Sequence, residues 1–337
     1  MEYPITLQDN EIEDVSLLGE WLPLAIFDSH VHVSPSFPGK KIINDKATTP
    51  GETFNFFDWK LHRKTLELMF PEQKYTVAAF GFPHLPDCEK DNGHLLSLAR
   101  QGDCIVPVLR TDATVESESL RKELSGRFAG LKMYPDGKQK KTRTKIVEVF
   151  PENVLEIADA LSKPLVIHLP NGLLNNLDEL IALADRFPCA KFVVAHMGVA
   201  YCYEPGFKDC MDAVKRYENI FFDTAMVSDS EVIARAIETV GPRRILFGSD
   251  APFSYMRGGY TLDLNGRCRL YSQTKFNWVG DDDRKNYADR LNELKLVHIN
   301  IVLAIKQAIE VLATESHEQA KLDIFCHNGR SLFHING

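Results

Sequence analysis

Positive charge is not in excess in this chain: 39 Lys and Arg against 47 Asp and Glu leave a net charge of -8, which gives no support to a nucleic-acid or anionic-membrane partner. The seven cysteines are odd in number and include no C-x-x-C pair, so neither a disulfide framework nor a thiolate zinc site is indicated, and the pattern suits a reducing cytoplasm. No apolar run reaches the ~18 residues of a membrane span. The acidic opening "MEYPITLQDNEIEDVSLLGE" lacks the basic region of an export signal. There is no internal repeat and no low-complexity tract, and no glycine-rich phosphate loop follows the first strand-like run.

What is present is a regular alternation. Eight short β-branched or aromatic runs have strand length: "AIFDSHVHV" from 25, "TVAAFGFP" from 76, "CIVPVLR" from 104, "GLKMYP" from 130, "PLVIHLP" from 164, "KFVVAHMG" from 191, "NIFFDTA" from 219 and "RILFGSDAP" from 244. Segments with helical spacing of apolar residues lie between them, such as "PENVLEIADALS", "NNLDELIALADRF" and "DSEVIARAIETV". Near-continuous apolar strands separated by helices imply a parallel sheet buried on both faces, and eight such units predict a closed (β/α)8 TIM barrel. Residues 1–24 read as an N-terminal extension and 25–337 as one barrel domain. Two long connections, "SPSFPGKKIINDKATTPGET" after strand 1 and residues 253 to about 285 after strand 8, follow strand C-termini and are candidate lids. The stretch "RKNYADRLNELKLVHINIVLAIKQAIEVLA" beyond them reads as helical.

The chemistry is carried by polar residues at strand ends. His30 and His32 are two apart on one strand and so share a face. An isolated pair of this kind is ordinarily two satisfied histidines, but here Lys132 on strand 4, His168 after strand 5, His196 after strand 6 and Asp250 after strand 8 are expected at the same rim. Several imidazoles and a carboxylate suit zinc, manganese, iron or nickel.

In "HVH", "GLKMYP", "PLVIHLP", "FVVAHMG", "ILFGSDAP" and the closing "DIFCHNGRSLF" the chain resembles the amidohydrolase superfamily, specifically the group of decarboxylases and hydrolases that includes aminocarboxymuconate semialdehyde decarboxylase. The resemblance runs from residue 25 to 333. It implies an essential divalent ion held by His30, His32, His168 and Asp250, with His196 either a ligand of a second ion or an acid–base group. Asp250 would also accept a proton from metal-activated water. Many two-metal hydrolases of this superfamily carry a carboxylated strand-4 lysine, which makes Lys132 a candidate bridge; the alternative is an ammonium paired with Asp250 or with a substrate carboxylate. One ion is favoured over two, and Zn2+ over Mn2+, Fe2+ or Ni2+.

Basic residues near the rim suggest an anionic small-molecule substrate. The loop "DGKQKKTRTK" follows strand 4, Arg110 ends strand 3, and Arg257, Arg267 and Arg269 lie in the last insertion. Arginine grips a carboxylate with two donors, so Arg257 and Arg110 rank above the lysines, with Tyr134 a further contact. The expected activity is hydrolysis of an amide, lactone or ester of an acidic small molecule. The alternative is nonoxidative decarboxylation of an unsaturated or aromatic acid. A barrel that kept its ligands only as a binding scaffold is disfavoured by the complete ligand set. No nucleic acid or membrane is expected as partner, and a homo-oligomer is left open.

Overall fold

The computed structural model describes residues 5–35, 58–82, 88–102, 104–134, 144–169, 171–273, 293–312 and 316–335. Eight strands pair in sequence order, each parallel to the next: β1 (Ala25–His32), β2 (Lys74–Phe80), β3 (Ile105–Thr111), β4 (Gly130–Met133), β5 (Pro164–Ile167), β6 (Lys191–Val194), β7 (Ile220–Asp223) and β8 (Ile245–Leu246). The ring closes where β1 meets the chain leaving β8. Ser29 N donates to Phe247 O at 2.8 Å, Asp250 N to His30 O at 2.9 Å and His32 N to Ala251 O at 2.7 Å. The expected (β/α)8 barrel is the fold, and all eight strand runs are strands.

Alternation of side chains splits the strands between two clusters. Phe27, Ala78, Phe80, Val106, Val166 and Val193 fill the barrel interior. Their neighbours Ile26, Val77, Ala79, Ile105, Leu165 and Phe192 pack outward into the core under the helices. Strand β1 departs from strict alternation: from Asp28 to Val31 it advances three residues while β2 advances two, from Val77 to Ala79. This bulge lets both Phe27 and the pair His30 and His32 face inward, although they differ in parity. The floor is closed by helix Asn328–Leu332, whose following Phe333 stacks on Phe27 at 5.7 Å.

Helices cover the strands with amphipathic faces, as their spacing predicts: Glu152–Ala160, Gly172–Arg186 and Ser230–Val240 among them. The last of these starts on Asp229, whose carboxylate accepts from Glu231 N, and stops at Gly241, where a φ of +84° takes the chain out of the helix. Helix Asp9–Trp21 of the N-terminal extension packs on helix Val297–Glu310. Of the stretch expected to be helical from 284, residues 284–292 lie outside the described residues; just before this second helix Leu296 forms a β-bridge with Arg257 and gives its N–H to Glu11 Oε1 at 2.8 Å. Of the two long connections, residues 36–57 and 274–292 lie outside the described residues, as does most of the basic stretch after β4. The described part of the last insertion is a 3-10 turn, Phe253–Tyr255, and an antiparallel hairpin of β9 (Gly258–Leu262) and β10 (Cys268–Ser272). Among the described residues no helix is long and apolar enough to cross a membrane.

Candidate metal centre

Three side chains converge at the C-terminal rim. Beyond β8 the chain turns sharply at Asp250, whose φ of +61° lies in the left-handed region. That turn, tied by its N–H to His30 O, aims the carboxylate between the two histidines of β1. Asp250 Oδ1 lies 3.1 Å from His32 Nε2 and 3.3 Å from His30 Nε2. The ligand atoms of the three residues are all within 4.8 Å of one another.

The outer nitrogens fix the tautomers. His30 Nδ1 is 2.8 Å from Asp223 Oδ2, and His32 Nδ1 is 3.2 Å from the Gly81 carbonyl. A carbonyl and a carboxylate only accept, so both Nδ1 atoms carry the proton and both Nε2 lone pairs face Asp250. Burial pushes both histidines below the ordinary imidazole value, toward the neutral form. Burial opposes ionisation of Asp250, yet His30 and the other imidazoles around it hold its carboxyl below the ordinary range. Two lone pairs and a carboxylate oxygen therefore share a space suited to a cation. Neutral imidazoles with carboxylate or carbonyl partners on their outer nitrogens are the usual dress of a bound divalent ion, so the residues fit a metal.

His196 stands beside this group, its ring 5.0 Å from that of His30. Its Nδ1 donates to Ala225 O at 2.9 Å, which leaves Nε2 unprotonated, and burial lowers its pKa as well. Its backbone N–H donates to Asp223 Oδ1 at 2.7 Å, so one buried carboxylate positions both His30 and His196. The sequence reading missed Asp223, although an acid at the end of the apolar run "NIFFDTA" was a signal of it. His168 is half-buried and edge-on to His196, the rings 5.2 Å apart. It is not among the three converging ligands.

Lys132 is 1% exposed, with Nζ 5.3 Å from the centre of the Phe80 ring and 5.0 Å from that of Tyr134. Burial brings its pKa down to about 8, against the pull of Asp223 and Asp250. Arg110 is buried and its Nη1 lies 3.4 Å from Asp91 Oδ2. Arg257 meets the N-terminal segment: its Nε and Nη2 hold Glu11 at 2.9 and 2.6 Å, and Nη2 also donates to Thr6 O at 2.5 Å. Arg269 pairs with Asp263 within the hairpin loop. Two aromatic residues that sequence reasoning did not single out, Tyr201 and Tyr260, stack at 4.1 Å beside His196.

A family model described as amidohydrolase matches residues 97–287, more than half of the chain. The chain belongs to the amidohydrolase family. Membership makes this amidohydrolase-family chain an enzyme of hydrolase or decarboxylase type. No curated protein matches it in sequence. Among solved structures it resembles 2,6-dihydroxybenzoate decarboxylase from Rhizobium, at 15% identity over 94% of this chain and 100% of that one, with a TM-score of 0.58. It also resembles 5-carboxyvanillate decarboxylase from Sphingomonas paucimobilis, at 12% identity over 93% and 100% of the two chains and a TM-score of 0.56. A third is 4-oxalomesaconate hydratase from Rhodopseudomonas palustris, at 15% identity over 92% and 95% and a TM-score of 0.54. At such identities the likeness is one of fold.

Proposed function

We propose that this amidohydrolase-family enzyme uses one divalent ion, Zn2+ ahead of Mn2+, Fe2+ or Ni2+, to hydrolyse an amide, lactone or ester bond in an acidic small molecule. The observation that carries the reading is the meeting of His30 Nε2, His32 Nε2 and Asp250 Oδ1 within 4.8 Å, with both outer nitrogens pinned. A divalent ion bound there supplies a Lewis acid and brings the pKa of water toward ~7. Asp250 would lend one oxygen to the ion and accept the proton of the attacking water. His196, neutral and with a free Nε2, carries a proton to the leaving group. Lys132 presents a buried cation to the substrate carboxylate, with Tyr134 beside it. His168, edge-on to His196, would be a fourth ligand of the divalent ion or would hold a second one.

A second reading, loss of carbon dioxide from an unsaturated or aromatic acid, is supported by the likeness of fold to two decarboxylases. The residues are the same; the water held at the centre would then supply the proton to the carbon that loses its carboxyl group, with His196 as the base. Metal analysis of the wild type, His30→Ala and His32→Ala tests the centre. About one ion per chain is expected in the wild type, and most of it should be lost in each variant while circular dichroism keeps the barrel signature. Full occupancy in both variants would refute the centre. Incubation with acids and their amides, lactones and esters then separates the two reactions: two cleavage products mark hydrolysis, carbon dioxide marks decarboxylation.

A further inference from the structure

Cys202 and Cys268 are far apart in sequence, and their sulfur atoms lie 2.6 Å from each other. Only a small adjustment separates that approach from the ~2.05 Å bond of a disulfide. Cys202 is buried in the connection between β6 and helix Pro205–Val214, six residues past His196; Cys268 opens β10 and is half-buried. A second contact joins the same two segments. Tyr201, next to Cys202, stacks nearly parallel on Tyr260 of β9 at 4.1 Å and 6°, and the Tyr201 ring is 5.8 Å from that of His196. In the hairpin, Tyr260 is paired with Leu270, two residues from Cys268. The hairpin is thus laid on the loop that leads from His196 through one aromatic stack and one sulfur pair.

We propose that Cys202 and Cys268 form a reversible disulfide that fastens the β9–β10 hairpin to the loop following His196, with a small disulfide of the glutathione class, RSSR, as oxidant. The half-buried Cys268 is the sulfur that meets solvent. As thiolate it attacks one sulfur of RSSR, forming Cys268–S–S–R and releasing RS−, which takes up the proton that Cys268 gave up. Cys202, as thiolate, then attacks the Cys268 sulfur, releases the second RS− and completes the link. Two protein thiols have lost two electrons and two protons, and RSSR has become two RSH. The link spans 66 residues of chain and leaves the ligands of the metal centre untouched. It is independent of which reaction the enzyme performs.

The test uses the full chain, equilibrated with excess oxidised glutathione, quenched with acid and digested without reduction for mass spectrometry. The expected product is a peptide pair joined through Cys202 and Cys268, two hydrogens lighter than the separate peptides, and absent after dithiothreitol. Hydrogen exchange of the hairpin amides should slow by about tenfold in the oxidised form, because opening the hairpin then requires moving the tethered loop as well. Cys268→Ser should abolish both effects. Glutathione adducts at Cys202 or Cys268 with no joined pair would overturn the proposal, as would a link to a different cysteine. A joined pair with unchanged hairpin exchange would overturn the fastening.

Discussion

Arg257→Ala separates two jobs for one guanidinium. In the sequence it is a candidate anchor for an anionic substrate, whereas in the structure it holds Glu11, which is fully buried, through two short contacts. Glu11 also accepts from Gln8 N and Leu296 N, each at 2.8 Å. Removing one partner of a buried ion pair costs about 3–5 kcal/mol, because the remaining charge is stranded. Here the Arg257 side chain is 15% exposed, and the two backbone donors stay with the carboxylate, so a loss of ~2–3 kcal/mol is expected. Unfolding entropy of ~2.1 cal/mol/K per residue makes that a fall of roughly 3–4 °C in Tm for a chain of this length. Thermal unfolding measures it. In a Glu11→Gln background the same substitution should cost less, since no buried charge is left unpaired. An unchanged Tm together with a raised KM for the acid, but not for its neutral ester, would refute the structural assignment and restore the anchor.

Two other perturbations read the site and its surroundings. Asp223→Asn removes the carboxylate behind His30 and is expected to weaken metal binding by about 10–100-fold in competition with a chelator; unaltered affinity would mean that Asp223 does not tune the centre. His298 is fully buried among Phe70, Phe247 and Tyr255, and burial lowers its pKa to about 3 from 6.5. The unfolded chain takes up a proton there that the folded chain refuses, so this contribution is complete above pH 6.5 and is lost as pH falls toward 3. Between pH 7 and 5 the wild type should lose ~2 kcal/mol more stability in urea than His298→Phe does. Parallel pH dependence in the two proteins would show that His298 titrates normally.

The barrel was legible because its signal is repetitive: eight apolar runs with helical spacing between them leave few other arrangements. The convergence of His30, His32 and Asp250 was legible for the same reason, since a histidine or aspartate at a strand's C-terminal end in a parallel barrel has one rim to reach. Pairing between distant side chains was not legible. Nothing in the sequence around Arg257 announces Glu11, 246 residues away, and its charge alone suggested a substrate. His168 lies at a strand end like the others, yet closeness to a rim does not fix ligand distances, and what the structure shows of it is an edge-on contact with His196. The Gly81 carbonyl that pins His32 is a backbone group and carries no sequence signature. The two cysteines that meet are 66 residues apart, and counting spacings could not find them.

The seam between β1 and the chain after β8 has a consequence for metal choice. Asp250 hangs from the carbonyl of His30, and the N–H of His32 is fastened to Ala251 O, so the strand that carries the two histidines is bonded directly to the segment that carries Asp250. Their separation is set by main-chain hydrogen bonds that exist before any ion arrives. Binding then spends little on ordering the site, and an ion can leave without the barrel loosening. A site of fixed span selects by size and preferred distance as much as by the softness of its donors. The choice of metal at such a site would therefore be decided as much by the register of two strands as by the two imidazoles and the carboxylate they bear.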